Sequence, residues 1–101
     1  MKVESRLSGD GSVLTLAILG KFDFTLLNEL RDAYTAAGDG LSGVNIDLRQ
    51  TTAIDSSALG MLLSMKRHFG KADGAIRIIN CSDDVRKILK IVRFDKKFSI
   101  E

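Results

Sequence analysis

The chain has 101 residues, 45% of them hydrophobic and 28% charged, with a net charge of +2; that size and balance suit one ordinary globular domain spanning residues 1–101 and argue against disorder. Cys81 and His68 are the only residues of their types, which excludes an internal disulfide and a zinc site built from Cys and His alone. No segment nears the ~20 apolar residues of a membrane span, and Met1-Lys2-Val3-Glu4-Ser5-Arg6 opens no run of signal-peptide length, so the expected location is the cytoplasm.

In chain order, Val3, Ser5 and Leu7 alternate with Lys2, Glu4 and Arg6, the pattern of a half-buried strand. Ser8-Gly9-Asp10-Gly11 is a turn cluster, and the nearly continuous apolar run Val13–Leu19 reads as a more deeply buried strand, giving an N-terminal hairpin. Gly20-Lys21-Phe22-Asp23-Phe24-Thr25 leads into a first helix. There Leu26, Leu27, Leu30, Ala33, Tyr34 and Ala37 fall at helical spacing. Asp23 or Thr25 supplies the N-cap, Glu29 sits in the favourable first turns, and Gly38-Asp39-Gly40 ends the helix, with Gly38 just past it.

Val44–Leu48 follows as a strand, Arg49–Ile54 as a polar crossing, and Ser56–Phe69 as a second helix. Its buried stripe is Leu59, Leu62, Leu63, Met65 and Phe69; Lys66, Arg67 and His68 face outward, and Gly70 marks its end. Ala75–Asn80 is a strand by its isoleucines. Ser82 then caps a third helix with Asp83 and Asp84 in its first turn and Val85, Ile88, Leu89 and Val92 along one face. Phe94, Phe98 and Ile100 close the chain against the core as a short helical turn or edge strand. The order β-β-α-β-α-β-α defines an α/β domain. Its strands separated by helices are expected to be parallel, and its hairpin makes the sheet mixed.

The charges are uneven. From Lys66 onward ten Lys/Arg stand against five Asp/Glu, and before it five stand against eight. Single-stranded nucleic acid would call for a denser basic stripe with interleaved aromatics. Phe94 and Phe98 read instead as core, so Arg86, Lys87, Lys90, Arg93, Lys96 and Lys97 are expected to form a solvated face that could also attract an acidic partner. A basic nucleic-acid-binding domain is the alternative from another class; no direct nucleic-acid contact and no membrane contact are expected.

The chemistry concentrates where the strand–loop–helix passage reaches Asp55-Ser56-Ser57. A hydrolase built on Ser56 and His68 fails, because twelve residues along one helix separate them by ~18 Å, and a nucleophile needs its base within hydrogen-bond reach. The nucleophile-elbow pattern and both glycine-rich phosphate loops are absent, so the chain is expected to be non-catalytic, with no cofactor and no metal. Cys81 reads as a small core filler. The unpaired N–H groups and dipole of a helix N-terminus tolerate a phosphate. Spacing alone therefore leaves two readings open for Asp55-Ser56-Ser57, an ordinary N-cap or a functional site.

Asp55-Ser56-Ser57-Ala58-Leu59-Gly60, preceded by Ile46-Asp47-Leu48 and followed by Met61-Leu62-Leu63, resembles the signature of the STAS family. More narrowly, it resembles the free-standing bacterial anti-sigma factor antagonists. Gly20-Lys21-Phe22-Asp23 is similar to the family's element after the second strand, and Val85-Arg86-Lys87-Ile88-Leu89 with Phe94 and Phe98 is similar to its closing segment. The resemblance implies a mixed sheet flanked by helices. It also implies a phosphorylation-controlled protein-binding switch whose acceptor is Ser56, with Ser57 beside it as the secondary candidate. The implied partners are an anti-sigma factor or serine kinase of the anti-sigma type, bound by the unphosphorylated form to free a sigma factor, and a PP2C-like phosphatase. Asp55 would orient the hydroxyl or cap the helix, with Asp23 nearby on the same partner-facing rim. Ser57, Ala58 and Gly60 keep the backbone approachable, although Gly60 can equally serve to pack the helix on the sheet. Ala58 departs from the glycine of many members, which bears on partner identity. The rival within the family is an adaptor that binds a non-sigma regulator or a transporter component without phosphorylation.

Overall fold

The computed structural model describes residues 2–38, 40–70 and 74–101; Asp39 of the expected helix stop lies outside them. Val3–Leu7 (β1) and Val13–Ile18 (β2) form the hairpin, pairing antiparallel from Val3 opposite Ile18 to Leu7 opposite Leu14. Gly43–Asp47 (β4) and Ile76–Ile79 (β6) add to β2 in parallel, and Ser99–Ile100 (β7) closes the far edge, giving the order β1-β2-β4-β6-β7. The expected mixed α/β sheet is the one observed. The closing segment uses both of its expected forms, a 3-10 turn at Phe94–Lys96 followed by β7.

Alternation puts Leu14, Leu16 and Ile18 of β2, Val44 and Ile46 of β4, and Ile76 and Ile78 of β6 on one buried face. Against it pack Leu30 and Tyr34 of α1 (Leu27–Ala36), Ala58, Met61, Leu62 and Met65 of α2 (Ser56–Phe69), and Val85 and Leu89 of α3 (Asp83–Ile91). Phe94 and Phe98 join the same core with ring centroids 5.4 Å apart. Burial of this set is the main stabilising term, at ~25 cal/mol per Å² of apolar surface removed from water. In β1 only Val3 is buried, so that strand is less buried than its alternation suggests.

The helix ends follow local chemistry. The Ser82 hydroxyl accepts from the Val85 N–H at 3.2 Å, and Gly70, at φ +63°, ends α2 in the left-handed conformation that glycine adopts without Cβ strain. The Glu29 carboxylate accepts from the backbone N–H groups of Lys2 and Val3 at 2.9 and 2.7 Å, tying the start of β1 to α1.

Three expectations need correction. The stripe of α2 is centred on Ala58, Met61, Leu62 and Met65, while Leu59, Leu63 and Phe69 are only partly buried and Lys66 is half-buried. On α3, Ile88 and Val92 are each 39% exposed and Ile91 78% exposed, because the core reaches only the Val85–Leu89 row, one turn long. The largest difference concerns Gly20–Thr25 and Arg49–Ile54, expected as a helix lead-in and a polar crossing. Gly20–Phe22 (β3) and Thr51–Ile54 (β5) are strands, and they pair in parallel as a separate two-stranded ribbon. At Gly20, φ +80°, the chain turns out of β2. The Gly20 N–H then donates to Gln50 O at 2.9 Å, and the buried Thr51 hydroxyl donates to Ile18 O at 2.8 Å, fastening the ribbon to the end of β2.

Candidate functional site

The ribbon places the site. Its register sets Lys21 opposite Ala53 and Phe22 opposite Ile54, so the next residues, Asp23 and Asp55, leave the two strands side by side. Each begins a helical segment: Asp23 caps the 3-10 turn Phe24–Leu26 that runs into α1, and Asp55 caps α2. Two helix entrances thus converge on one rim.

The two caps share one feature, a hydroxyl two residues on that donates to the carboxylate. Asp23 Oδ1 accepts from the Thr25 N–H at 2.9 Å and from the Thr25 hydroxyl. Asp55 Oδ1 accepts from the Ser57 hydroxyl at 2.6 Å and from the Ala58 N–H at 3.1 Å. These bonds favour the charged carboxylate. The Thr25 hydroxyl and N–H hold Asp23 below the ordinary carboxylate value, helped by Lys21 and opposed by the charge of Asp55. The Ser57 hydroxyl, then the Ala58 N–H and, more weakly, Lys21 hold Asp55 down in the same way. Both carboxyls are therefore ionised at neutral pH, and the charge of Lys21 acts on both.

Ser56 is the first residue of α2, exposed, and its hydroxyl has no hydrogen-bond partner among the described residues. Of the two roles expected of Asp55, orienting the Ser56 hydroxyl or capping the helix, the structure shows the cap, and the hydroxyl that Asp55 holds is that of Ser57. Ser57 is half-buried, and Ala58 is fully buried at 0% exposure and packs in the core. Gly60 is exposed, and a Cβ there would meet nothing within 4 Å. Close packing on the sheet does not explain that glycine. It lies one turn beyond Ser56, on the same helix face.

His68 stands in the last turn of α2, its ring centroid 4.9 Å from that of Tyr34 in a tilted pair and 5.0 Å from that of Phe69 in an edge-to-face pair, at the opposite end of the helix from Ser56. Among the described residues no group of three or more His, Cys, Asp or Glu is placed to hold a metal ion, and no helix is long and apolar enough to cross a membrane. Cys81 is half-buried against the core. Of the basic residues of the C-terminal half, Lys87, Lys90, Arg93, Lys96 and Lys97 are exposed and Arg86 is half-buried.

Sequence reasoning did not place Phe24 and Thr25 on this rim, nor find Lys21 as a charge acting on both aspartates or Thr51 as the residue that fastens the ribbon to β2. The signal that could have found Phe24 and Thr25 is the repeated triplet Asp23-Phe24-Thr25 and Asp55-Ser56-Ser57, an Asp with a hydroxyl two residues on at each helix entrance.

A mixed sheet with helices on its core face, a ribbon beside it and an Asp-capped α2 that begins with two serines define a small mixed α/β domain. The chain belongs to the STAS family: residues 5–100 match the family described as Mlab, STAS domain. It is 43% identical over 100 residues to a STAS-domain containing protein of Pseudomonas aeruginosa (strain UCBPP-PA14), covering 99% of both chains. Among solved structures it is similar to the anti-sigma factor antagonist SpoIIAA in its unphosphorylated form, with a TM-score of 0.79 and 16% identity over 98% of this chain and 87% of that one. It is also similar to the Bacillus cell fate determinant SpoIIAA in the phosphorylated form, with a TM-score of 0.71 and 16% identity over 98% and 90%. At that identity the likeness is one of fold.

Proposed function

We propose that this chain is a cytoplasmic, non-catalytic anti-sigma factor antagonist, a protein-binding switch controlled by reversible phosphorylation of Ser56. One observation carries the reading: an exposed hydroxyl without a partner among the described residues at the head of α2, next to the cap Asp55, whose charge acts on Asp23 at the same end of the β3–β5 ribbon. That the SpoIIAA fold has been solved in both unphosphorylated and phosphorylated forms is consistent with such a switch.

The mechanism follows from charge. A phosphoserine adds about −1.5 to −2 charges and three acceptor oxygens. The free domain tolerates them at a helix N-terminus. In a complex, the dianion would be desolvated beside Asp23 and Asp55, and a cost of a few kcal/mol lowers affinity ~100-fold or more. The unphosphorylated form binds an anti-sigma factor or anti-sigma-type serine kinase and so frees a sigma factor; a PP2C-like phosphatase restores that form.

The test is incubation with purified anti-sigma-type serine kinases of the same organism and Mg-ATP, followed by phosphosite mass spectrometry. Binding by the wild type, Ser56→Ala and Ser56→Asp is measured alongside. Phosphate on Ser56, retained binding by Ser56→Ala and loss by Ser56→Asp are expected. Equal binding by all three, with no phosphate on Ser56, would return the chain to the role of an adaptor that works without phosphorylation.

A further inference from the structure

Phe24 is the one aromatic among the exposed large hydrophobic side chains of the described residues, with 67% of its surface in solvent. Its neighbours explain why it points out. Phe22 and Leu26, two residues to either side, are buried at 0% and 3% and occupy the inward positions. The backbone around it is fixed: Asp23 Oδ1 holds the Thr25 N–H at 2.9 Å, and Asp23 O accepts from the Leu26 N–H at 3.1 Å. The ring therefore stands on a rigid turn, and little conformational freedom is lost when a partner covers it.

Its place in the fold gives this exposure a meaning. Phe22 is opposite Ile54 in the ribbon, so Asp23-Phe24 and Asp55-Ser56 leave it together. Phe24 holds in the first triplet the position that Ser56 holds in the second. An aromatic ring and a modifiable hydroxyl thus share one rim with two carboxylates and Lys21.

We propose that Phe24 is the apolar anchor of the docking face around Ser56, seated in a hydrophobic pocket of the partner protein. This rests on the reading of Ser56 given above. The partner surface that fits is a ring-sized apolar pocket bordered by N–H donors, which meet the lone pairs of Asp23 and Asp55 not used by Thr25, Ser57 and Ala58. Apolar docking also fixes the sign of the switch. Beside an apolar pocket without a facing cation, a dianion on Ser56 loses more hydration than the neutral N–H donors at its border return. A pocket lined with arginine would instead bind the phosphorylated form more tightly.

The test is a double-mutant cycle by titration calorimetry against the purified anti-sigma-type kinase used above. It compares wild type, Phe24→Ala, Phe24→Leu, Ser56→Asp and the Phe24→Ala/Ser56→Asp double variant, with thermal melting of each. All should melt close to wild type, since the ring lies mostly in water. Phe24→Ala is expected to weaken binding about 10- to 100-fold, the usual range for a buried aromatic anchor, and Phe24→Leu to recover part of it. The penalty of Ser56→Asp should shrink in the Phe24→Ala background. Wild-type affinity in Phe24→Ala together with a loss in Ser56→Asp overturns the anchor and leaves the switch standing. The reverse pattern supports the anchor and removes the switch. Tighter binding by Ser56→Asp, or no binding by the wild type, overturns the proposal.

Discussion

Thr51→Val tests whether the ribbon positions the rim. Thr51 is 8% exposed, and its hydroxyl donates to Ile18 O at 2.8 Å, at the point where β3 parts from β2. Valine keeps the branched shape and the strand preference while deleting the donor. Losing a buried hydrogen bond and leaving its carbonyl partner short costs about 1–3 kcal/mol, and the added methyl returns up to about 0.8 kcal/mol. A net loss of about 1–2 kcal/mol follows, and for a domain of this size each kcal/mol lowers Tm by about 4–8 °C. The assay is urea unfolding, read as a lower midpoint at unchanged slope, with amide hydrogen exchange resolving where protection is lost. Exchange should quicken in Gly20–Phe22 and Thr51–Ile54 before it does in β4 or β6. Thr51→Ser, which keeps the donor and loses a methyl, should cost about 1 kcal/mol without selectively loosening the ribbon. A Thr51→Val variant that unfolds at the wild-type midpoint with unchanged ribbon protection would refute the reasoning.

Two further predictions use the core and the acid side of the titration. Leu89→Ala, at a fully buried position, should lose about 2–5 kcal/mol, whereas Ile91→Ala, 78% exposed two residues later, should stay within about 0.5 kcal/mol; equal losses in denaturant melts would contradict the placement of α3. Asp10 is held down to about 2 from 3.8, first by the Ser8 hydroxyl, then by the hydroxyl and N–H of Ser12. A carboxylate with a depressed folded pKa contributes stability that is present above the unfolded value and lost as pH falls through the folded one. Stability should therefore decline from about pH 4 toward pH 2, less steeply in Asp10→Asn, and carbon-13 titration of the Asp10 carboxyl should give a midpoint near 2. A midpoint near 3.8 would mean that the turn does not hold the carboxylate.

The long periodic segments were legible because their burial follows from local spacing. The apolar run at Val13–Leu19 and the helical stripe of Ser56–Phe69 become β2 and α2, and the caps Ser82 and Gly70 act where their residue types say they should. The ribbon was not legible: strands of three and four residues are too short to show a period, and what holds them is parallel pairing across a long sequence separation plus one threonine hydroxyl. On α3, periodicity groups Ile88 and Val92 with Val85 and Leu89, but it cannot say how far the sheet extends beneath the helix. At the site, the residue types at Asp23, Asp55 and Ser56 could be read from the chain. The juxtaposition of the two aspartates could not, since it depends on the ribbon register, and neither could the choice of Ser57 as the hydroxyl that Asp55 holds.

That last detail gives a physical reason to prefer one serine over the other as acceptor. Ser57 donates to Asp55 at 2.6 Å and is half-buried. A phosphate there would replace the donated proton with a dianion facing a carboxylate, breaking one of the two bonds through which Asp55 acts and threatening the start of α2. Ser56 lies outside this arrangement. Its modification leaves Asp55 bonded to Ser57 and to the Ala58 N–H, so the helix entrance, the ribbon and the core below it can persist unchanged. The proposed switch at Ser56 would alter what the rim presents to a partner without altering the fold that presents it, and its energy would be spent at the interface rather than on unfolding a helix turn.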